Sequence, residues 1–194
     1  MARRKVNPND FCRLVFKNFD EYEKLRMTEK TTTTDPVALR QSLPQPEHVG
    51  RSDILHTVSQ HVCFLEAEIA DRETLKYSLK IFAPSFGGML CLRLDSRGGD
   101  HINKETGDGL PSRIVPTPHF HKVDKDGWMR AYHTDELRDP RIAEAIASNV
   151  ALGTNLFCQE VNLVSPSGST VVLQHIPTEL PLSSTGAMDS VSFP

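Results

Sequence analysis

The feature that most constrains the fold is a series of short segments in which apolar and polar residues alternate. In the segment ETLKYSLKIFAP the apolar residues at every second position are Leu75, Tyr77, Leu79 and Ile81. That spacing is the period of a β-strand with one buried face. The segments HVCFLEAEIA before it and GGMLCLRLD, TPHFHKVD and GWMRAYHT after it indicate further strands. Such strands in succession predict an antiparallel meander.

Helical patterns flank these strands. Near the N-terminus, apolar residues recur at helical spacing after an Asn-Asp pair that can cap a helix, and they predict a helix over residues 10–27. Further along, Asp139 followed by Pro140 is typical of a helix start, because proline is well tolerated at the first helical position. This second helix is predicted either to continue past Gly153 or to end there and restart.

The other segments lack a clear period. Residues 28–53 are rich in threonine and proline, which favours a linker or loop, with one helical turn expected at Val37–Gln41. The segment VNLVSPSGSTVVLQHIP indicates a hairpin that turns at Ser165–Ser169. The chain is thus divided into a basic N-terminal arm (1–9), the first helix (10–27), the linker (28–53), the main domain (54–177) and a C-terminal tail expected to be flexible (178–194).

Strands that cluster between helices are typical of the α+β class. We therefore predict one α+β domain with a mostly antiparallel sheet of about five to seven strands. An N-terminal helix and a C-terminal helix are expected to pack on one face of that sheet. The length of 194 residues suits one such domain better than two.

The composition limits the functions that are open to the chain. Its formal net charge of −3 gives no overall attraction to nucleic acid, so a nucleic-acid role needs a local basic patch. No apolar run is long enough to span a membrane, and the N-terminus lacks the apolar core of a secretory signal. The four cysteines include no CxxC pair, which favours buried, reduced thiols in a cytoplasmic protein. Glycine-rich nucleotide-binding motifs are also missing, and no cofactor is predicted.

The segment TPHFHKVD carries the candidate site. His119 and His121 are two positions apart, so on a strand their rings project from the same face. Arg93 and Asp95 share a face of the preceding strand in the same way. If these two strands are neighbours, all four side chains meet. His101, in the connecting segment SRGGDHINKETGDG, is then placed to join them.

The run CLRLDSRGGDHINKETGDG and the later PTPHFHKVDKDGWMRAYHTDEL resemble a family of small uncharacterised bacterial proteins that also occur on mobile elements. The shared signature, over roughly residues 56–165, is an LRLD strand followed by glycine and histidine, a variable loop, and P-x-H-x-H before an aromatic hairpin. The residues that fall on this signature are Arg93, Asp95, His101, His119 and His121. The chain departs from the signature in a longer loop at 96–115 and in the charged residues after His121.

A looser likeness links the P-H-x-H strand to toxin components of toxin–antitoxin pairs. The partners expected on this basis are RNA or a protein such as an antitoxin or a host factor. The leading hypothesis is a metal-independent ribonuclease, since histidines transfer protons near neutral pH. The predicted roles are acid and base for His119 and His121, phosphate contact for Arg93, orientation of one imidazole for Asp95, and a further ring from the loop for His101. Arg130 in the next strand is the alternative phosphate contact.

Two other interpretations of the histidine pair stay open. In the first, the rings are structural, hydrogen-bonded to Asp95 and backbone, and the sheet face binds a partner without catalysis. In the second, His119 and His121 bind a divalent metal together with His101 or Asp95, since imidazoles are common zinc and iron ligands. The leading hypothesis assigns no metal ligand, because an H-x-H pair without a fixed third ligand is weak evidence for a metal site.

Overall fold

The computed structural model describes residues 19–34, 36–41, 51–56, 63–71, 75–83, 89–103, 114–125 and 127–175. The helices are α1 (Phe19–Met27), a 3₁₀ helix (Glu136–Arg138), α2 (Pro140–Ala147) and α3 (Val150–Val161). The strands are β1 (Lys30–Thr32), β2 (Val37–Gln41), β3 (Arg51–His56), β4 (Cys63–Asp71), β5 (Lys76–Ala83), β6 (Met89–Asp95), β7 (His101–Ile102), β8 (Ile114–Val115), β9 (His119–Val123), β10 (Met129–Tyr132), β11 (Leu163–Val164) and β12 (Leu173–His175). The predicted N-terminal arm (1–9) and C-terminal tail (178–194) lie outside the described residues.

Most strands belong to one large, mostly antiparallel sheet. Eight of them follow the order β10-β9-β6-β5-β4-β3-β1-β11, and β2 and β12 extend the sheet from β4 to make ten. β7 and β8 form a separate two-stranded ribbon. The α+β class is therefore confirmed, but the prediction of five to seven strands is wrong. Of the additional strands, β1 and β2 are short and pair with strands distant in sequence, so alternation alone does not indicate them.

The strands predicted from alternation form five consecutive strands of this sheet, starting at its β10 edge. β4, β5, β6, β9 and β10 each pair antiparallel with the next, which confirms the meander. In β5, Tyr77, Leu79 and Ile81 are buried on one face, whereas Lys80 on the other face is partly exposed. The chain passes from β6 to β9 through the long connection that contains the β7–β8 ribbon.

The segment 28–53, predicted to be a linker or loop, contains β1, β2 and the start of β3. The helical turn predicted at Val37–Gln41 is wrong, because these residues form β2 and pair in parallel with β4, with Leu39 opposite Ala67. Sheet partners far along the chain decide the conformation of such short segments, and they override local propensity.

The turn at Ser165–Ser169 is present, but the hairpin predicted around it is wrong. Ser165 N–H donates to the carbonyl of Ser169 at 2.9 Å and closes the turn. The strands on either side do not pair with each other, since β11 pairs in parallel with β1 and β12 in parallel with β2. The C-terminal strands β11 and β12 therefore join the sheet beside the N-terminal strands β1 and β2.

The helix boundaries follow from local capping. The predicted N-terminal helix is described from Phe19 onward, as α1, and residues 10–18 lie outside the described residues. α2 begins at Pro140 as predicted, with the Asp139 carboxylate accepting from the N–H of Arg141 at 2.8 Å. The interruption between α2 and α3 falls before Gly153 rather than at it, because the Asn149 side chain caps α3.

The helices are tied to the sheet by buried tyrosines. Tyr22 of α1 donates its hydroxyl hydrogen to the carbonyl of Cys91 in β6 at 2.6 Å. Tyr77 of β5 donates to the carbonyl of Ile146 at the end of α2, also at 2.6 Å. Of the helices in the described part of the chain, none has the length and apolar character needed to cross a membrane. Within the described residues, Cys63, Cys91 and Cys158 are buried and form no disulfide, as predicted.

Candidate functional site

β6 and β9 bring the predicted site residues together. The two strands pair antiparallel with Asp95 opposite His119 and Arg93 opposite His121. Alternate residues of a strand point to the same face, so these four side chains project from one face of the sheet. Leu94 and Phe120 lie opposite each other at the intervening positions and are fully buried in the core. The ring centroids of His119 and His121 lie 4.6 Å apart.

The carboxylate of Asp95 is the centre of the cluster. Its Oδ1 accepts from Nε of Arg93 at 2.6 Å. Its Oδ2 lies 3.2 Å from Nε2 of His121 and 3.9 Å from Nε2 of His119. Burial raises the pKa of Asp95, but the hydrogen bonds from His121 and Arg93 outweigh it and leave that pKa below its usual value. The group is therefore a carboxylate at neutral pH.

His119 is held in one orientation. Its Nδ1 lies 3.1 Å from the carbonyl oxygen of Pro116, and because a carbonyl only accepts, Nδ1 carries the ring proton. Nε2 is then left with a lone pair that faces the cluster. Burial lowers the pKa of His119 to about 4, with a further contribution from the neighbouring His121. The ring is thus neutral at physiological pH.

His101 joins the cluster from the β7–β8 ribbon. Its ring centroid lies 4.7 Å from that of His121 and 6.1 Å from that of His119. Burial lowers its pKa, and His121 adds to the effect. The segment is anchored by Asn103, whose side-chain amide donates to the carbonyl and accepts from the N–H of Ala131, each at 2.9 Å. This anchor is missed by sequence reasoning, since a loop asparagine has no distinctive pattern.

A cleft of about 500 Å³ opens above these residues. Basic side chains contributed by β5 and by the loop after β6 line it: Lys76, Lys80 and Arg97. Lys80 pairs with Glu68 at 2.7 Å and Arg97 with Glu144 at 2.9 Å, so part of this charge is neutralised. The side chain of Arg93 is 40% exposed, and its Nη atoms form no hydrogen bond within the described residues. Arg93 is therefore available to an anion in the cleft.

The alternative phosphate contact Arg130 and the nearby His133 lie away from this cleft. Arg130 is buried, and its Nε donates to the carboxylate of Asp124 at 2.6 Å. The prediction of Arg130 as an alternative phosphate contact is therefore wrong. His133 places its Nε2 at 2.9 Å from the carbonyl of Pro116, the same oxygen that His119 contacts, but its ring is not part of the cluster.

The cluster can do two kinds of chemistry. Paired imidazoles beside a carboxylate and a guanidinium can transfer protons next to a bound phosphate. The Asp95, His119 and His121 ligand atoms, which all lie within 4.8 Å of one another, can also surround a metal ion. The chain matches no protein-family model, no curated protein and no solved structure. The resemblance to bacterial mobile-element proteins therefore stays a prediction.

Proposed function

We propose that the cleft cleaves RNA by metal-independent acid–base catalysis. The observation that carries this proposal is the convergence of His119, His121, Asp95 and Arg93 on one face of β6 and β9, at the floor of an open cleft. These groups supply a base, an acid, an orienting carboxylate and a cation for the phosphate. A cleft of about 500 Å³ has the size of a small-ligand site, which suits one or two nucleotides.

In this proposal the two rings have different roles. His119 presents an unprotonated Nε2 and is the base that removes the proton of a ribose 2′-hydroxyl. The 2′-oxygen attacks the phosphorus, and the bond to the 5′-oxygen breaks. His121, beside the Asp95 carboxylate at 3.2 Å, is the acid that gives a proton to that leaving oxygen. The products are a 2′,3′-cyclic phosphate and a 5′-hydroxyl end.

The phosphate is bound by the cations of the cleft. Asp95 orients Arg93 by accepting from its Nε. The two Nη groups of Arg93 then donate together to two oxygens of the substrate phosphate. Lys76, which is exposed at the cleft wall, adds positive charge for a neighbouring phosphate. His101, at the edge of the cluster, limits the space above the reacting atoms. On the likeness to toxins, a partner protein of the antitoxin kind would cover this same cleft.

The test is RNA cleavage in the presence of EDTA, with a labelled oligoribonucleotide. His119→Ala and His121→Ala should each lower the rate by about 10²-fold or more, the usual contribution of a general acid or base. Lys122→Ala is the matched control. Lys122 directly follows His121 on β9, but it points to the opposite face of the sheet, where its Nζ contacts the Tyr132 ring. A substrate with a 2′-deoxy sugar at the cleaved position should resist cleavage.

The ribonuclease proposal fails on either of two results. One is a folded His119→Ala/His121→Ala double variant that cleaves RNA as fast as the wild type. The other is equal cleavage of the ribose and 2′-deoxyribose substrates, since the attacking hydroxyl is then not the 2′-group. Stoichiometric binding of RNA with no turnover would instead favour the non-catalytic interpretation of the sheet face.

A further inference from the structure

The Asp95–His119–His121 cluster has the geometry of a metal site. We propose that these three residues bind one divalent transition-metal ion of the Zn²⁺ class, and that the bound ion inhibits the ribonuclease. Binding follows from the cluster alone, whereas inhibition rests on the proposed function.

The distances between the ligand atoms are close to those around a tetrahedral ion. Two ligands about 2.0–2.2 Å from Zn²⁺ at the tetrahedral angle are about 3.3–3.6 Å apart. Asp95 Oδ2 lies 3.2 Å from Nε2 of His121 and 3.9 Å from Nε2 of His119. All three residues offer a ligand atom within 4.8 Å of the others, so the set is already close to the spacing that one bound ion requires.

The acceptor atoms that face each other in the cluster, on His119 and Asp95, favour a bound cation. Nδ1 of His119 donates to the carbonyl of Pro116, so Nε2 of His119 has no proton. That nitrogen faces Asp95 Oδ2, which is also an acceptor, at 3.9 Å. The same Asp95 oxygen accepts from Nε2 of His121 at 3.2 Å, so Nε2 of His119 is the acceptor that this contact leaves without a proton. A metal ion that takes the place of the His121 Nε2 proton bonds to Asp95, His119 and His121 at once.

The surrounding residues support the ligands as they do in metal proteins. Histidines that bind metals usually donate their other ring N–H to a carbonyl or carboxylate, which fixes the tautomer. The Pro116 carbonyl does this for His119. Nε of Arg93 holds the second oxygen of Asp95 at 2.6 Å and leaves Oδ2 directed at the rings. Both contacts hold the ligand atoms in place before an ion arrives.

The donor set indicates which ion is bound. Two imidazoles with one carboxylate suit Zn²⁺ and similar transition metals, whereas Mg²⁺ and Ca²⁺ prefer sites built from oxygen. The side of the cluster that faces the cleft is open for a fourth ligand. His101 lies beside this opening, with its ring centroid 4.7 Å from that of His121 and 6.1 Å from that of His119, so its ring borders the fourth position.

Metal binding and proton transfer compete for the same atom. The Nε2 lone pair of His119 that accepts the 2′-hydroxyl proton is the one that would bond to the ion. An ion on Asp95 also removes the carboxylate that orients His121. The zinc-loaded protein is therefore expected to be inactive, and removal of zinc should restore cleavage.

The binding test uses the full chain without a histidine tag, stripped with EDTA and titrated with Zn²⁺ in a calorimeter. The wild type should bind one ion per chain. Asp95→Asn, His119→Ala and His121→Ala should each weaken binding by at least about 10-fold, since even outer-shell changes cost 10–100-fold. His133→Ala is the matched control, because His133 contacts Pro116 but lies outside the cluster. Co²⁺ loaded into the wild type gives a second readout, a visible spectrum that reports its coordination.

RNA cleavage by the same preparations separates the two proposals. Cleavage by the stripped protein that stops with one equivalent of Zn²⁺ and returns with EDTA supports both. One bound ion with no cleavage in either state overturns the ribonuclease and leaves the metal site in place. Cleavage that persists with one Zn²⁺ bound overturns the inhibition and leaves the ribonuclease in place. The absence of stoichiometric binding overturns the metal site itself. Cleavage only by the zinc-loaded protein overturns the metal-independent reaction and the inhibition together.

Discussion

Gly153 is expected to tolerate no side chain, even though it lies inside helix α3. A Cβ atom at this position would overlap Oη of Tyr77 and lie 2.6 Å from its Cζ and 2.9 Å from its Cε2. The phenol ring has no space to retreat, since Tyr77 is 1% exposed and donates to the carbonyl of Ile146 at 2.6 Å. Gly153→Ala must therefore displace the ring, the helix or both.

The magnitude follows from opposing contributions. Alanine is favoured over glycine inside a helix by about 1 kcal/mol. Overpacking of a core costs about 1–3 kcal/mol, and loss of the Tyr77 hydrogen bond costs roughly another 1 kcal/mol. The free energy of unfolding should thus fall by about 2 kcal/mol in Gly153→Ala. Urea unfolding followed by circular dichroism measures this change, with an unchanged dependence on denaturant as the sign that two-state behaviour is kept.

Two further variants show whether the tyrosine ring is the cause. In a Tyr77→Leu background the ring is gone, so adding Gly153→Ala should cost much less than it does in the wild type. Gly99→Ala is the control, because a Cβ there meets no atom within 4 Å, and its effect should stay within about 0.5 kcal/mol. If Gly153→Ala is as stable as the wild type or more stable, helix propensity has decided the outcome and the packing argument is refuted.

Two more stability changes follow from buried or capping polar groups. Nζ of Lys30 donates to the carbonyls of Arg26, Thr28 and Val161 at 2.8, 2.6 and 2.8 Å, so Lys30→Met leaves these acceptors without a donor. It should lower the free energy of unfolding by about 3 kcal/mol, and a loss below 1 kcal/mol in urea unfolding would contradict that role. Asn149→Ala removes the cap of α3 and should cost about 1 kcal/mol, whereas Asn149→Asp should keep most of the stability; equal losses in thermal melts of the two variants would argue against capping.

The strands from β4 to β10 that pair in the meander, and the candidate cluster, were accessible from sequence because both depend on the two-residue period of a strand. Tyr77, Leu79 and Ile81 share one face in the structure as their spacing predicts. The same period places His119 and His121 on one face, and the antiparallel pairing of β6 with β9 adds Arg93 and Asp95. The catalytic roles of these residues stay predictions.

The rest depends on contacts that no local pattern records. β2 is a strand only because it pairs with β4 and β12, which are distant in sequence. Lys76 and Arg97 reach the cleft from separate elements, so neither is marked by its neighbours in sequence. Arg130 looks available in sequence, yet it is occupied by Asp124, six residues earlier on the other side of a turn. Burial and ion pairing of this kind become visible only with the fold.

The contact between Asn103 and Ala131 has a consequence for how the molecule meets other copies of itself. β10 is the terminal strand of the sheet order, and such an edge presents backbone groups that invite a strand from another chain. The carboxamide of Asn103 imitates a peptide unit and occupies both the N–H and the carbonyl of Ala131. The Asn103 side chain thus occupies backbone groups in the middle of the edge strand β10, where pairing with a strand of another copy would begin.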